Sequence, residues 1–264
     1  MSSLPARTEP TMRQRVSAAE WETRVQLAAC YRLIHKFGMT DLIYNHITAR
    51  SPEADDQFLI NPYGLDYSEI TASSFYKIDI DGEVITKPDN DYGLNRAGFV
   101  IHSAVHAARH DATCVIHTHT RAGVAVSAMR CGLLPLSQSA MRFLGRVGYH
   151  DYEGPATSLG ERERLAENLG QGDALILRNH GLLVCGNSIP SAFHLTQRLE
   201  VACQVQVDAM AATTDLVLPS PEVQALSAEM MAPRSTTNAI PNGGAIEWAA
   251  LVRQLDRDDT SYRD

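Results

Sequence analysis

The apolar and polar positions of this chain fall into blocks of different period. Residues 1–16 (MSSLPARTEPTMRQRV) are mostly polar, carry two prolines and show no period, which predicts a flexible N-terminal arm. Ser17 stands three residues before Glu20, the spacing of a capping box, and a helical pattern follows. Trp21, Val25 and Ala28 form one stripe of it and Leu27, Tyr31 and Ile34 a neighbouring one, with Gly38 as the expected stop. Short strand patterns follow in NHITAR and QFLINP, and YKIDIDGEVI reads as a hairpin turning at Asp81-Gly82. NRAGFVIHSAVHAARHD is helical, with Phe99, His102 and His106 at spaced positions. A strand, ATCVIH, and a helix, RAGVAVSAM, come next. The helix GERERLAENLG then precedes two strands, DALILR and LLVCG, separated by NHG. A long helix is expected from Ser188 to Met210. After Ala212 the chain turns to Pro, Ser and Thr, and no strong period returns until AIEWAALVRQL. Strands and helices mixed in this way predict one α/β layered domain over 17–215, with an extension over 216–264.

Composition narrows the function classes. The chain has 264 residues, 44% hydrophobic and 20% charged, ordinary values for a globular protein. A net charge of −8 and a pI near 5.7 argue against nucleic acid or an anionic membrane as partner. A locally cationic site for a small anion is still compatible with them. The five cysteines are odd in number and scattered, which reads as reduced thiols in a cytoplasmic protein. The N-terminal residues show no signal-peptide pattern, and no apolar run approaches the length of a membrane span.

The candidate chemistry begins at VIHTHT. In a strand, side chains alternate faces, so His117 and His119 share one and Thr118 takes the other. Two adjacent imidazoles make poor core but two good legs of a metal site. As an isolated pair they read equally as surface or hydrogen-bonded histidines. LILRNHGLLVCG supplies a third: His180 follows a strand, beside Gly181, where the backbone can turn tightly. Three imidazoles match the protein ligands of an open catalytic zinc site.

VIHTHT followed by LRNHGLLVCG resembles the class II aldolase/adducin family, closest to the adducin head domain and its bacterial relatives. LIYNHITAR, INPYGLDYSEITASS, NRAGFVIHSAVHAARHD and VGYHDYEG extend the resemblance over roughly residues 20–215. It implies an α/β/α sandwich with a mixed, largely antiparallel central sheet. It also implies a divalent metal, most often Zn2+, on His117, His119 and His180, and a cyclic homotetramer.

The departures from the family pattern carry as much weight. Sugar-phosphate aldolases of the family have a catalytic glutamate near the start of the helix NRAGFVIH, where this chain has Gly98. Glycine neither takes nor gives a proton, so that role is vacant. Their phosphate-binding Gly-Asn pair matches Asn45-His46 here, their two serines match Arg96-Ala97, and Gly64 survives. The expected substrate-binding residues are therefore Asn45, Gly64 and Arg96, whose guanidinium suits a carboxylate. His46 and then Tyr63 are the expected replacement acid/base groups, against the alternatives of a structural strand histidine and a packing tyrosine. His102 and His106 are expected to pack or hydrogen-bond, His150 and Asp151 to form a turn network, and Glu161 to Arg164 to be a solvated face. Two functions compete. One is a metal-dependent carbon–carbon lyase of aldolase or decarboxylase type, acting on a small oxygenated substrate such as a hydroxy- or keto-carboxylate. The other is a non-catalytic binding or assembly module like the adducin head. Adducin's actin and spectrin contacts depend on its Lys-rich tail, which the acidic RDDTSYRD does not match, so those partners are not implied.

Overall fold

The computed structural model describes residues 10–154, 160–231 and 244–264, except for the side chains of Arg96 and Ala97. The N-terminal part comprises α1 (Met12–Arg15), α2 (Ala18–Lys36), β1 (His46–Arg50), β2 (Gln57–Ile60), β3 (Pro62–Tyr63), β4 (Tyr76–Asp79), β5 (Val84–Thr86) and β6 (Gly93–Leu94). The middle holds α3 (Arg96–Ala108), β7 (Cys114–Thr118), α4 (Arg121–Ser127), α5 (Gln138–Met141) and β8 (Val147–His150). After these come α6 (Glu161–Leu169), β9 (Ala174–Leu177), β10 (Gly181–Gly186), α7 (Ile189–Ala212), α8 (Pro221–Met231) and α9 (Ala245–Asp258).

Eight strands form one sheet in the order β5-β4-β2-β1-β7-β10-β9-β8. Every pair is antiparallel except β8–β9 at the edge. Alternation along the strands divides the core into two layers. Ile47, Ala49, Cys114 and Ile116 face α2, α7 and α9, and Leu182 and Val184 face α4 and α7. Val115, Leu175, Leu183 and Cys185 face α3 and α6. Helices therefore cover both faces, which makes the expected α/β/α sandwich. Among the described residues no helix is long and apolar enough to cross a membrane.

The ends of α2 show where local sequence and tertiary context part. Gly38 closes the helix at φ +66, as its position suggested. At the start, Ser17 accepts from the Glu20 amide, but Glu20 does not return the bond. Its carboxylate turns into the core instead, where Arg24 Nε (2.8 Å) and Lys77 Nζ (2.7 Å) donate to it. Two charge-assisted bonds outweigh one neutral cap bond, so the residue that looked like a surface cap ties α2 to β4.

Other elements also differ from their sequence signals. The β4–β5 loop runs over residues 80–83 with Gly82 at φ +92, longer than a two-residue turn, and the ladder is bulged at Lys77/Ile78. Of the arm expected over 1–16, residues 12–15 are a helical turn with Met12 buried, and residues 1–9 lie outside the described residues. In the extension, α8 was not signalled by any period; it buries none of its residues, so no core-facing stripe was required of it. Helix α9 lays Trp248 and Leu255 against α2 and α7. Replacing Glu20 by Ala removes the carboxylate that Arg24 pairs with in the interior and leaves Lys77 with Glu53 alone. It is expected to cost about 3–5 kcal/mol, measured as a loss of unfolding free energy in urea; a cost below 1 kcal/mol would show that the network is not the tie described.

Candidate metal centre

The triad is assembled at one end of three adjacent strands. His46 on β1 and His117 on β7 are register partners, and Leu183 on β10 is the next partner of His117. His117 faces the α3 layer with Val115, as the alternation requires. His119 lies just beyond β7. His180 sits in the turn between β9 and β10. That turn is made by Asn179 at φ +56, a conformation asparagine tolerates, rather than by Gly181. Gly181 is required for another reason: a Cβ there would lie 2.4 Å from the Thr118 carbonyl oxygen. It lets β10 approach β7 closely enough to present His180.

His119 Nε2 lies 2.8 Å from His117 Nε2 and 3.1 Å from His180 Nε2. The other ring nitrogens explain what these contacts are. His117 Nδ1 is 2.9 Å from the Leu182 carbonyl oxygen and His119 Nδ1 is 3.0 Å from Asp41 Oδ2. A carbonyl and a carboxylate oxygen accept, so both Nδ1 atoms carry the hydrogen. In the neutral ring the Nε2 atoms then hold bare lone pairs. Burial, followed by the neighbouring histidines, holds His117 well below the usual imidazole range and His180 at about 4, which keeps both rings neutral. Lone pairs facing one another at these distances repel unless a cation lies between them. The donor set therefore fits a divalent ion such as zinc, which takes imidazole nitrogen at about 2.0–2.1 Å.

Other groups brace the triad. Asn45, wholly buried, accepts from the His119 amide at 3.2 Å and donates to the Met39 carbonyl at 3.0 Å. His46 stacks beside His117, ring centroids 4.9 Å apart. Its Nδ1 pairs with His102 Nε2 (2.7 Å), His102 Nδ1 with Thr48 Oγ1 (2.7 Å), and Thr48 Oγ1 with His106 Nε2 (2.8 Å). A buried polar chain thus runs from the triad under α3. Gly98 is part of this arrangement, because a Cβ there would fall 2.7 Å from His46 Cδ2. The imidazole at 46 occupies the space a side chain at 98 would enter.

The remaining expected residues lie around this centre. Tyr63 is partly exposed, with its ring 6.5 Å from that of Tyr44. Gly64, at φ +132, leaves room for the Tyr92 ring, which a Cβ would meet at 2.6 Å. The backbone of Arg96 opens α3; its side chain lies outside the described residues. A shallow open cleft borders His180 and Tyr152, with His150, Glu161 and Arg178 in its wall. His150 is held there by Asn168 and Glu161, each at 3.3 Å. Asp41 was missed from sequence: it stands in an irregular loop, and only the fold brings it to His119.

The geometry meets a family match at this point. The sequence profile of the Class II Aldolase and Adducin N-terminal domain covers residues 25–207, and the chain belongs to that family. The crystal structure of an aldolase II superfamily protein from Pseudomonas syringae is 50% identical, with a TM-score of 0.90 over 97% of this chain and 100% of that one. An L-fuculose 1-phosphate aldolase from Glaciozyma antarctica superposes with a TM-score of 0.81 at 28% identity, over 97% of each chain. Rat alpha-adducin is 45% identical over 88% of this chain, which spans 33% of adducin's length.

Two consequences are measurable. Asp41→Asn removes the charge that fixes the His119 tautomer and is expected to weaken zinc binding about 10- to 100-fold; unchanged affinity in a chelator competition would contradict the bracing role. The second concerns acid. Burial depresses His102, and depresses His106 to about 3, with Arg50 adding to the latter. Both are neutral when folded but take up protons near pH 6.5 when unfolded, so their stability contribution is present above that pH and is lost as pH falls below it. Chelated protein should lose about 1.4 kcal/mol per pH unit for each such histidine; a flat denaturation midpoint from pH 6.5 to 5 would contradict this.

Proposed function

We propose that the protein is a metal-dependent carbon–carbon lyase, of aldolase or decarboxylase type, acting on a small oxygenated substrate. The observation that carries this is the convergence of three imidazole Nε2 atoms, two of them bared by acceptors on Nδ1. A scaffold gains nothing from holding such lone pairs together, whereas a coordination site requires it. His117, His119 and His180 are assigned to the metal, and the nitrogen donor set favours Zn2+. A bound divalent ion there supplies Lewis-acid stabilisation of negative charge developing on a substrate oxygen as the carbon–carbon bond breaks.

The chain's own residues are assigned the rest. His46 is given the proton-handling role, since its ring stands where Gly98 leaves space and lies against His117. Tyr63 is a second candidate for that role. Asn45 fixes the backbone at His119, and Gly64 and Arg96 are assigned to the substrate side. Arg96, in the first turn of the helix that bears Gly98, suits a carboxylate, so the proposed substrate is a hydroxy- or keto-carboxylate. Retro-aldol cleavage, and decarboxylation of a carboxylate with a β-carbonyl, both leave the electron pair of the broken bond as an enolate, whose oxygen carries the negative charge.

A second reading has a specific observation behind it. Gly98 carries no carboxylate, and the likeness to alpha-adducin supports a binding or assembly module without catalysis. One experiment separates the two. Zinc-loaded protein is incubated with a panel of small hydroxy- and keto-carboxylates and with L-fuculose 1-phosphate, and released aldehyde and carbon dioxide are measured. Turnover of a carboxylate but not of the sugar phosphate is expected. His46→Gln should then lower turnover about 10²- to 10⁴-fold without changing metal content. No turnover of any carboxylate by zinc-loaded protein would favour the module. Ordinary enzyme rates on the sugar phosphate would overturn the proposed substrate class.

A further inference from the structure

A second cluster of polar groups lies on the α2/α7 side of the sheet, at the far end of the strands from the triad. Helix α7 starts after Gly186, which pairs with Cys114, the end of β7 opposite His117. Arg142, the C-cap of α5, is more than nine-tenths buried, and among the described residues its Nε and Nη1 find no acceptor. His194, early in α7, is equally buried, and its Nε2 likewise has no partner among the described residues. The two share one electrostatic neighbourhood with Arg198 and Glu247. Arg146 and Asp173 are also near Arg142, but they are committed to each other by two bonds of 2.5 and 2.6 Å.

Helix α9 begins against the same histidine. Its N-cap is Gly244, at φ +86, and no side chain among the described residues caps it. A Cβ on Gly244 would lie 2.5 Å from His194 Cβ and 3.2 Å from its Nδ1. Glycine therefore lets the open end of a 14-residue helix sit on the imidazole. Amide donors and the positive end of the helix dipole collect there. Unpaired buried donors are costly, and a guanidinium is among the costliest to leave unmatched. Guanidinium, imidazole and helix N-terminus share one kind of ligand, an oxyanion. Glu247, in the first turn of α9, is a carboxylate near these groups; it is half-buried and bonds none of the three unpaired nitrogens.

We propose that Arg142, His194 and the N-terminus of α9 form a binding site for a small phosphate-type oxyanion, separate from the triad. The ligand is recognised by charge and donors alone. It could be the free ion or the phosphoryl group of a small metabolite. Bound there, it would tie α5, α7 and α9 together and would not touch the proposed catalytic centre.

The test uses the full chain, as wild type and as His119→Ala, so that phosphate held near the triad is not counted. Melting temperature is followed with millimolar phosphate against chloride of equal ionic strength, and binding is measured directly by equilibrium dialysis of labelled phosphate. A phosphate-specific rise in melting temperature is expected in both proteins. Arg142→Met should abolish that rise, yet melt no lower than wild type in phosphate-free buffer, because an unmatched buried charge has been removed. Glycerol 2-phosphate in a parallel series separates the sources: no shift marks a site for the free ion, and an equal shift marks one that takes a phosphorylated metabolite. Three results would overturn the proposal: no phosphate-specific shift and no dialysis binding in wild type, loss of the response in His119→Ala, or an undiminished response in Arg142→Met.

Discussion

The hydrogen bonds on the Nδ1 atoms of His117 and His119 are what the rest of the site depends on. Each is made to a group that can only accept, the Leu182 carbonyl in one case and the Asp41 carboxylate in the other. They put the proton on the outer nitrogen and leave the inner one bare, which sets up a mutual repulsion that the fold sustains. Without these bonds the rings could tautomerise or rotate, and Nε2–H could bond to a neighbouring lone pair, satisfying the triad without any ion. The antiparallel register β1-β7-β10 supplies the Leu182 carbonyl, and the loop before β1 supplies Asp41 and Asn45. The middle of the sheet and the site are thus one construction.

Behind the triad, positions 46 and 98 are linked by space. The His46 ring lies where any side chain at 98 would have to go, so glycine at 98 and histidine at 46 are a matched pair. The pair also extends into the core, because His46 is oriented by His102, and His102 by Thr48 and His106. Three histidines and a threonine in a dry interior are tolerable only because each bonds the next. Their neutral forms are favoured by burial, and acid sensitivity follows from this.

Much of the fold was readable in the chain. The long helices α2 and α7, the strands β7, β9 and β10, and the turn histidine at 180 all follow from period, caps and position. The triad was readable because strand alternation constrains His117 and because the motifs around it are distinctive. Elements with little local pattern were not. Helix α8 has no buried stripe to advertise it, and β3 and β6 are two residues each, too short for any period. Glu20 read as a cap because its tertiary partner, Lys77, is 57 residues away. Asp41 left no signal because its role is defined by a residue 78 positions later. The reason for Gly181 was likewise tertiary: it serves the contact between strands, while Asn179 makes the turn.

The central claim is that His117, His119 and His180 hold a metal ion. Elemental analysis of protein purified without chelator tests it most directly, paired with the same measurement on His119→Ala. The account expects about one divalent ion per wild-type chain, as a three-histidine site holds, and a sharp loss in the variant. Wild-type protein that carries no metal, and whose melting temperature is unmoved by added zinc, would contradict it.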